Sequence, residues 1–237
     1  MMRFHYDNPE QERYTRLLLE AIPWMRWIGV NPAFSKILNE LGYDAYAIKP
    51  LHHLDAFTPT LPPLVGESAL QNSTKCHIFQ GQSLCREVQV IARSPMPIKK
   101  ALVRWDSDYS AYKEIHLGDI FVFWANKERY RPLPMIKAMA RGAVVLTPSP
   151  GYHMCMYYGW QDNHNCLFMR SAENVLETVK ILTRNRDLKM EIAQAAIETA
   201  SHYSYSAVGR ELGMCLMMPL REVNNYRQKI RFLGFRF

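Results

Sequence analysis

The stretch from Gly118 to Gly151 constrains this chain more than any other. It reads GDIFVFWANKERYRPLPMIKAMARGAVVLTPSPG. Ile120, Phe121, Val122, Phe123 and Trp124 form a continuous β-branched and aromatic run, the pattern of a strand buried on both faces. Ala143, Val144, Val145, Leu146 and Thr147 form a second such run. Between them, Leu133 to Arg141 has helical spacing, with Pro132 and Pro134 near its start and Gly142 just past its end. This is a β–α–β unit, whose strands run parallel with a right-handed crossover. Ligands of such units lie beyond the carboxyl ends of the strands, here in the loops around Glu128 and Ser149.

The flanking sequence extends the pattern. Residues 9–22 have helical spacing through Tyr14, Leu17, Leu18 and Ala21, with Asn8 before Pro9 as the cap. Residues 27–30 form a short apolar strand. Asn31 and Pro32 then open a helix whose inner face is Phe34, Ile37, Leu38 and Leu41 and which stops at Gly42. Residues 43–48 read as a strand. Pro50, Pro59, Pro62, Pro63 and Gly66 break regular structure in a linker or crossing loop. Strands follow at 76–79 and 101–105, a helix at 84–92 and a short amphipathic segment at 110–116. Residues 152–164 read as an aromatic, polar loop. A strand at 165–169 precedes two amphipathic helices, capped by Ser171 and by Asn185 or Asp187. Residues 203–206 interrupt, and helical spacing resumes from Ala207 to Leu216. The expected fold class is α/β: a Rossmann-like parallel sheet flanked by helices, with a short N-terminal αβαβ segment. The expected division is 1–60 as that segment with its hinge, 61–220 as the main domain and 221–237 as a basic tail. A C-terminal helix is expected to fold back on the N-terminal segment.

Composition narrows the class of protein. In 237 residues, 48% are hydrophobic and 22% charged, which fits a soluble globular chain. No apolar run is long enough to span a bilayer, and the polar start does not read as a signal peptide. The cysteines are Cys76, Cys85, Cys155, Cys166 and Cys215; they are odd in number and form no CxxC pair. A reducing, cytoplasmic location is expected, with neither a disulfide framework nor a zinc site. His153 and His164 flank aromatic residues near Cys155 and Cys166, but the spacing fits no standard metal pattern. The formal net charge of +7 favours anionic partners such as nucleotides, nucleic acid or an acidic membrane face. Arg221, Arg227, Lys229, Arg231 and Arg236 concentrate part of it in the tail, among Tyr226, Phe232, Phe235 and Phe237.

The order of these features resembles a known family. Residues 119–151, then Asn165-Cys166-Leu167-Phe168, then two helices ending at His202-Tyr203-Ser204-Tyr205, resemble the C-terminal half of GT-B glycosyltransferases. The likeness is greatest to the retaining enzymes of glycosyltransferase group 1. It rests on the DIFVFW strand, Ala138-Met139-Ala140, Gly142, Val144-Val145 and Pro150-Gly151. Upstream, residues 28–57, with Leu41-Gly42, Asp55 and Phe57, resemble the end of that family's N-terminal domain and its hinge.

The resemblance implies transfer of a sugar from a nucleotide-sugar donor, a hexosyl transfer with retention, and a donor that is a substrate rather than a cofactor. It implies donor contacts at Arg86, Arg129, Lys137, Ser149, Pro150 and Gly151, a sugar-side carboxylate at Glu128, and no metal. Positive groups and backbone N–H groups would stabilise the departing diphosphate. The family has two glutamates with seven residues between them, the second directly before the Ala-Met-Ala core; that second position is Lys137 here. Counting back puts Arg129 at the first, one residue from Glu128. A lysine cannot accept from a ribose hydroxyl, and a hydrogen bond to a charged group is worth about 1.5–3 kcal/mol. Gly81 is followed by Gln82, so the family's diphosphate-gripping Gly-Arg pair is also missing, with Arg86 and Lys99 as weak substitutes.

Several readings therefore stay open. One is a glycosyltransferase-like protein of full, reduced or lost activity, acting on an unknown glycan, lipid or protein acceptor. A second is a non-catalytic nucleotide or glycan binder on the same fold. A third is a nucleic-acid or membrane-surface binder working through the tail. The short N-terminal segment raises the further expectation of a shortened homologue or a separate N-terminal subunit, and the basic tail that of peripheral association with an anionic membrane.

Overall fold

The computed structural model describes residues 17–19, 21–22, 24–29, 32–49, 74–80, 85–104, 109–124 and 133–220. The chain divides into two compact units, residues 51–207 and residues 1–50 with 208–237. The larger contains a five-stranded sheet of β3 (Lys75–Gln80), β4 (Lys99–Arg104), β5 (Ile120–Val122), β6 (Val144–Pro148) and β7 (Leu167–Met169). Its order is β4-β3-β5-β6-β7 and every neighbouring pair is parallel. Helices α2 (Arg86–Arg93), α3 (Tyr109–Lys113), α4 (Leu133–Ala140), α5 (Tyr152–Tyr158), α6 (Ala172–Arg184) and α7 (Arg186–Ser201) connect and flank the strands.

Side-chain alternation along each strand builds two cores. Cys76, Ile78, Ile120, Val122, Val144 and Leu146 face one side, against Val88 and Ile91 of α2 and Val175, Val179 and Leu182 of α6. Phe79, Phe121, Phe123 and Val145 face the other, against Tyr112 of α3 and Met135, Ile136 and Met139 of α4. Ile120, Phe121 and Val122 are fully buried, as expected of a central strand covered on both faces. The outer strand β4 instead exposes Lys99, Lys100 and Arg104, charges that discourage edge-to-edge pairing.

Local signals set most boundaries. Helix α4 ends in a Schellman turn, with Ala143 N donating to Ala138 O and Gly142 in the left-handed region at φ 81°. Ser171 caps α6 by accepting from Asn174 N, and Asn185 caps α7 by accepting from Leu188 N. Residues 152–158, expected to be a loop, form α5. Their apolar residues lack helical spacing, but Gly151 and Gly159 bracket them. Gly159 is left-handed, and Trp160 N bonds Cys155 O in a second Schellman turn.

In the smaller unit, β1 (Arg26–Gly29) pairs parallel with β2 (Asp44–Ala47) across helix α1 (Pro32–Glu40). Leu38, Tyr43 and Ala45 pack with Leu19. Residues 17–19 and 21 are helical, but Leu17, Leu18 and Ala21 are exposed and Leu19 is buried, so the inner face differs from the one expected. The Asn39 carboxamide donates to Ala45 O and accepts from Ala45 N, at 2.7 and 3.1 Å, which blocks that point of the β2 edge. Helix α8 (Tyr205–Met217) ends against β1, where the Arg26 guanidinium donates to the carbonyls of Cys215, Met218 and Pro219. Arg26 also pairs with Asp44 at 2.7 Å and lies over the Tyr46 ring. The C-terminal helix thus folds back on the N-terminal segment, as expected.

Candidate functional site

Strand order locates the site. The chain steps from β3 outward to β4, then returns across β3 to β5 and proceeds to β6 and β7. Order therefore reverses between β3 and β5. At such a switch point the loops leaving two adjacent strands diverge, opening a crevice beyond their carboxyl ends.

The chain segments at that end come from α2, β5 and β6. Arg86 is the first residue of α2 and is exposed. Cys85 before it is extended and makes no side-chain cap bond, so that helix end is not closed by its own sequence. Beyond β5, Phe123 is buried and donates its N–H to Leu146 O, while Trp124 is half-buried. Beyond β6, Thr147 is buried and Ser149 exposed. Gly151 has φ 93° and ψ 156°, a conformation essentially reserved for glycine, and a Cβ there would meet nothing within 4 Å. It is the N-cap of α5 and offers no side-chain cap. The loop is thus held by glycine in an open, uncapped geometry.

Ser149, Pro150 and Gly151 stand together in one loop. Arg86 stands at the same end of the sheet, on the far side of β5. Lys137 sits on the fifth residue of α4, with its ammonium 5.1 Å from the Tyr112 ring centroid. The rest of α4 after Leu133 is buried, and Lys137 itself is half-buried. Loss of hydration pushes its pKa below the ordinary lysine value. Glu128 and Arg129 lie outside the described residues.

Two aromatic residues join the site without having been singled out from the sequence. Trp124 ends the apolar run of β5 at the switch point, one residue past its last fully buried position. Tyr152 follows Gly151 and is 73% exposed. Their signal is position, an aromatic residue immediately after a strand or beside a loop glycine. The remainder of the 154–160 cluster is largely packing. Tyr158 stacks on Trp160 with centroids 4.5 Å apart, and Tyr203 Oη donates to Tyr158 O at 2.8 Å.

Among the described residues no cluster of three His, Cys, Asp or Glu side chains is arranged to hold a metal. Burial raises the thiol pKa of Cys155 and of Cys166, which keeps both protonated at neutral pH. No helix among the described residues is long and apolar enough to cross a membrane.

No family model matches the chain, and no curated protein matches it in sequence. Solved structures do match its fold. Anabaena HepE, in complex with UDP and glucose, superimposes with a TM-score of 0.59 at 13% identity, over 90% of this chain and 69% of that one. TarM superimposes with a TM-score of 0.58 at 13% identity, over 91% of this chain and 48% of TarM. Sucrose-phosphate synthase from Thermosynechococcus elongatus gives a TM-score of 0.53 at 14% identity, over 97% of this chain and 65% of the synthase. The chain thus spans 48% of TarM and 65% of the synthase. The fold is that of GT-B glycosyltransferase structures, with a Rossmann-like parallel sheet between helices.

Proposed function

We propose that the larger unit binds a nucleoside-diphosphate sugar across the β3/β5 switch point and that the protein is a glycosyltransferase-like transferase. The observation that carries this reading is the strand-order reversal, flanked by a cationic helix start at Arg86 and a glycine-held open loop at residues 149–151. UDP or a UDP-sugar is the first donor to examine, because HepE has been solved with UDP and glucose and with UDP-glucose. In this reading Arg86 and the backbone N–H groups beyond Gly151 receive the diphosphate. Glu128 as the sugar-side carboxylate and Arg129 as a donor contact, both outside the described residues, rest on the family resemblance alone. Stabilising the charge that develops on the departing diphosphate is the main catalytic contribution, and the sugar leaves with retained configuration.

Lys137 favours a second reading, that of a donor binder without turnover. Its ammonium cannot accept from a ribose hydroxyl and instead offers charge to a phosphate. Calorimetry with UDP on the full chain tests binding. Arg86→Ala should weaken it about 10- to 100-fold, the equivalent of one charge-assisted hydrogen bond. Absence of binding for every nucleoside diphosphate would overturn both readings. Donor hydrolysis or transfer over a panel of nucleotide sugars separates them, because binding without turnover leaves only the second. Lys137→Glu discriminates the role of that residue. Affinity rises if a ribose contact is restored and falls if Lys137 holds a phosphate.

A further inference from the structure

We propose that the smaller unit binds a nucleobase in the groove between α1 and the outer edge of β2, through the backbone of Ala47. A cavity of about 540 Å³ lies there, with Lys36, Asn39 and Glu40 of α1 and Ala45, Tyr46 and Ala47 of β2 among its lining residues. That volume falls within the roughly 300–1,000 Å³ of small-molecule sites. The three helix residues are spaced i, i+3 and i+4, so they form one stripe along α1.

The pairing of the two strands fixes which way the backbone faces. Ile48 N donates to Gly29 O, so residues 44, 46 and 48 bond across to β1, while 45 and 47 turn their N–H and C=O outward. The Asn39 carboxamide closes the first outward position, donating to Ala45 O at 2.7 Å and accepting from Ala45 N at 3.1 Å. Two residues beyond Ala47, Lys49 N donates to the Glu211 carboxylate at 3.4 Å. Among the described residues nothing pairs with the N–H and C=O of Ala47. The edge therefore keeps one donor and one acceptor open side by side, with closed positions before and after. A further strand needs a run of such positions and does not find it here. A single planar group with an adjacent donor and acceptor does fit, and Asn39 supplies the precedent two residues earlier.

The rest of the cavity selects a base over a lone carboxamide. Adenine presents its N6–H beside N7, the edge that Asn and Gln side chains read with one amide donor and one amide acceptor. Uracil presents its N3–H beside O4 in the same way. Tyr46 brings an aromatic ring to the cavity, and Arg26 holds that ring with its guanidinium 5.1 Å from the centroid. A fixed ring favours a flat heterocycle over an aliphatic amide. Lys36 and Glu40 are both exposed on the α1 stripe. The ammonium suits a phosphate, and the carboxylate accepts from ribose hydroxyls. A nucleoside or its monophosphate thus uses each group that the groove offers.

Amide NMR of the full chain, read at the Ala47 N–H, tests this. Titration with adenosine or with uridine should shift that resonance. N6,N6-dimethyladenosine and 3-methyluridine lack the donor hydrogen and should bind about tenfold more weakly, the loss expected for one hydrogen bond. AMP should bind several-fold more tightly than adenosine, and Lys36→Ala should remove that advantage. Ala47→Pro deletes the N–H without breaking a ladder bond, because that N–H faces outward on an edge strand. By calorimetry it should weaken adenosine about tenfold. Circular dichroism checks that the proline variant folds, and the methylated nucleosides carry the test on the unmodified chain should it misfold. The proposal fails if neither nucleoside moves the Ala47 resonance, or if methylation leaves affinity unchanged. It also fails if acetamide binds as tightly as adenosine, since the groove would then read a side-chain carboxamide. Nucleosides carry no diphosphate, so such a failure leaves the donor site proposed on the larger unit standing.

Discussion

The two ends of the five-stranded sheet are built on opposite plans. At the amino ends of the strands, polar groups are buried and paired. Asp119, just before β5, accepts from Lys75 N at 2.8 Å and from His116 N at 3.0 Å, and meets His77 Nε2 at 2.9 Å. A carboxylate has no proton to give, so the imidazole nitrogen donates. Lys189 of α7 reaches in to donate to Thr74 Oγ1 at 2.7 Å. Arg141, past the end of α4, donates to the carbonyls of Ile115 and Lys113. At the carboxyl ends, Cys85 and Gly151 begin helices without side-chain caps, and Arg86 and Ser149 face solvent. A satisfied network rigidifies and specifies a fold, whereas open donors and cations are available to a ligand. The contrast assigns stability to one end and leaves the other open, where the proposed donor site lies.

The largest effect that could break this contrast is at Asp119. Asp119→Ala removes three bonds and leaves His77 and Lys189 buried without their carboxylate. Removing one partner of a buried pair costs about 3–5 kcal/mol. Urea unfolding should show a loss of that order. Should the alanine variant fail to fold, Asp119→Asn keeps an acceptor and should lose only about 1–3 kcal/mol. A loss well under 1 kcal/mol from either change would mean that this end is not the anchor described above.

A matched glycine pair sharpens the comparison. Gly142 and Gly151 both have positive φ, at 81° and 93°. A Cβ at Gly142 would fall 2.6 Å from Leu117 Cδ1 and 3.2 Å from Ile197 Cδ1, while one at Gly151 meets nothing within 4 Å. Backbone strain costs each alanine about 1–3 kcal/mol. Gly142→Ala adds overpacking of about 1–3 kcal/mol, so it should unfold at lower urea than Gly151→Ala. Nucleotide affinity should fall at least tenfold in Gly151→Ala and stay unchanged in Gly142→Ala, by calorimetry. The reverse ordering in either measurement would undo the division of labour between the two ends.

Much of this was legible in the sequence because buried parallel strands announce themselves. The runs 120–124 and 143–147, Gly142 and the cap at Ser171 each fixed an element by local chemistry, while Pro132 lies outside the described residues. Helix α5 was not legible, since YHMCMYY has no helical apolar spacing and its ends are set by Gly151 and Gly159. The amino-end network was missed for a different reason. His77, Asp119 and Lys189 are far apart in sequence, and only strand order brings the first two together. At the candidate site, Ser149 and Gly151 followed from their place after a strand. Glu128 and Arg129 lie outside the described residues, and Lys137 was legible as a departure but not as a residue packed over Tyr112.

The smallest expected effect decides to which end Lys137 belongs. Burial lowers its pKa, so the folded state holds that proton less tightly than the unfolded state. Between the depressed folded value and the ordinary value of about 10.5, the unfolded chain carries more protons, and stability rises with pH across that window. Lys189 is lowered by burial in the same direction and contributes a slope of the same sign. Lys137→Met should therefore reduce the gain in unfolding free energy between pH 7 and pH 10 without abolishing it. At pH 7 the change should stay within about 1 kcal/mol, because the lost cation–π contact is offset by relief of desolvation. An unaltered slope would mean that the ammonium is hydrated rather than packed over Tyr112. Repeating the measurement with UDP present adds the decisive arm. A phosphate beside Lys137 raises its folded pKa and flattens the slope in the unmodified chain but not in Lys137→Met. Flattening would join Lys137 to the open end of the sheet. An unchanged slope with UDP bound would leave it a packing residue of α4.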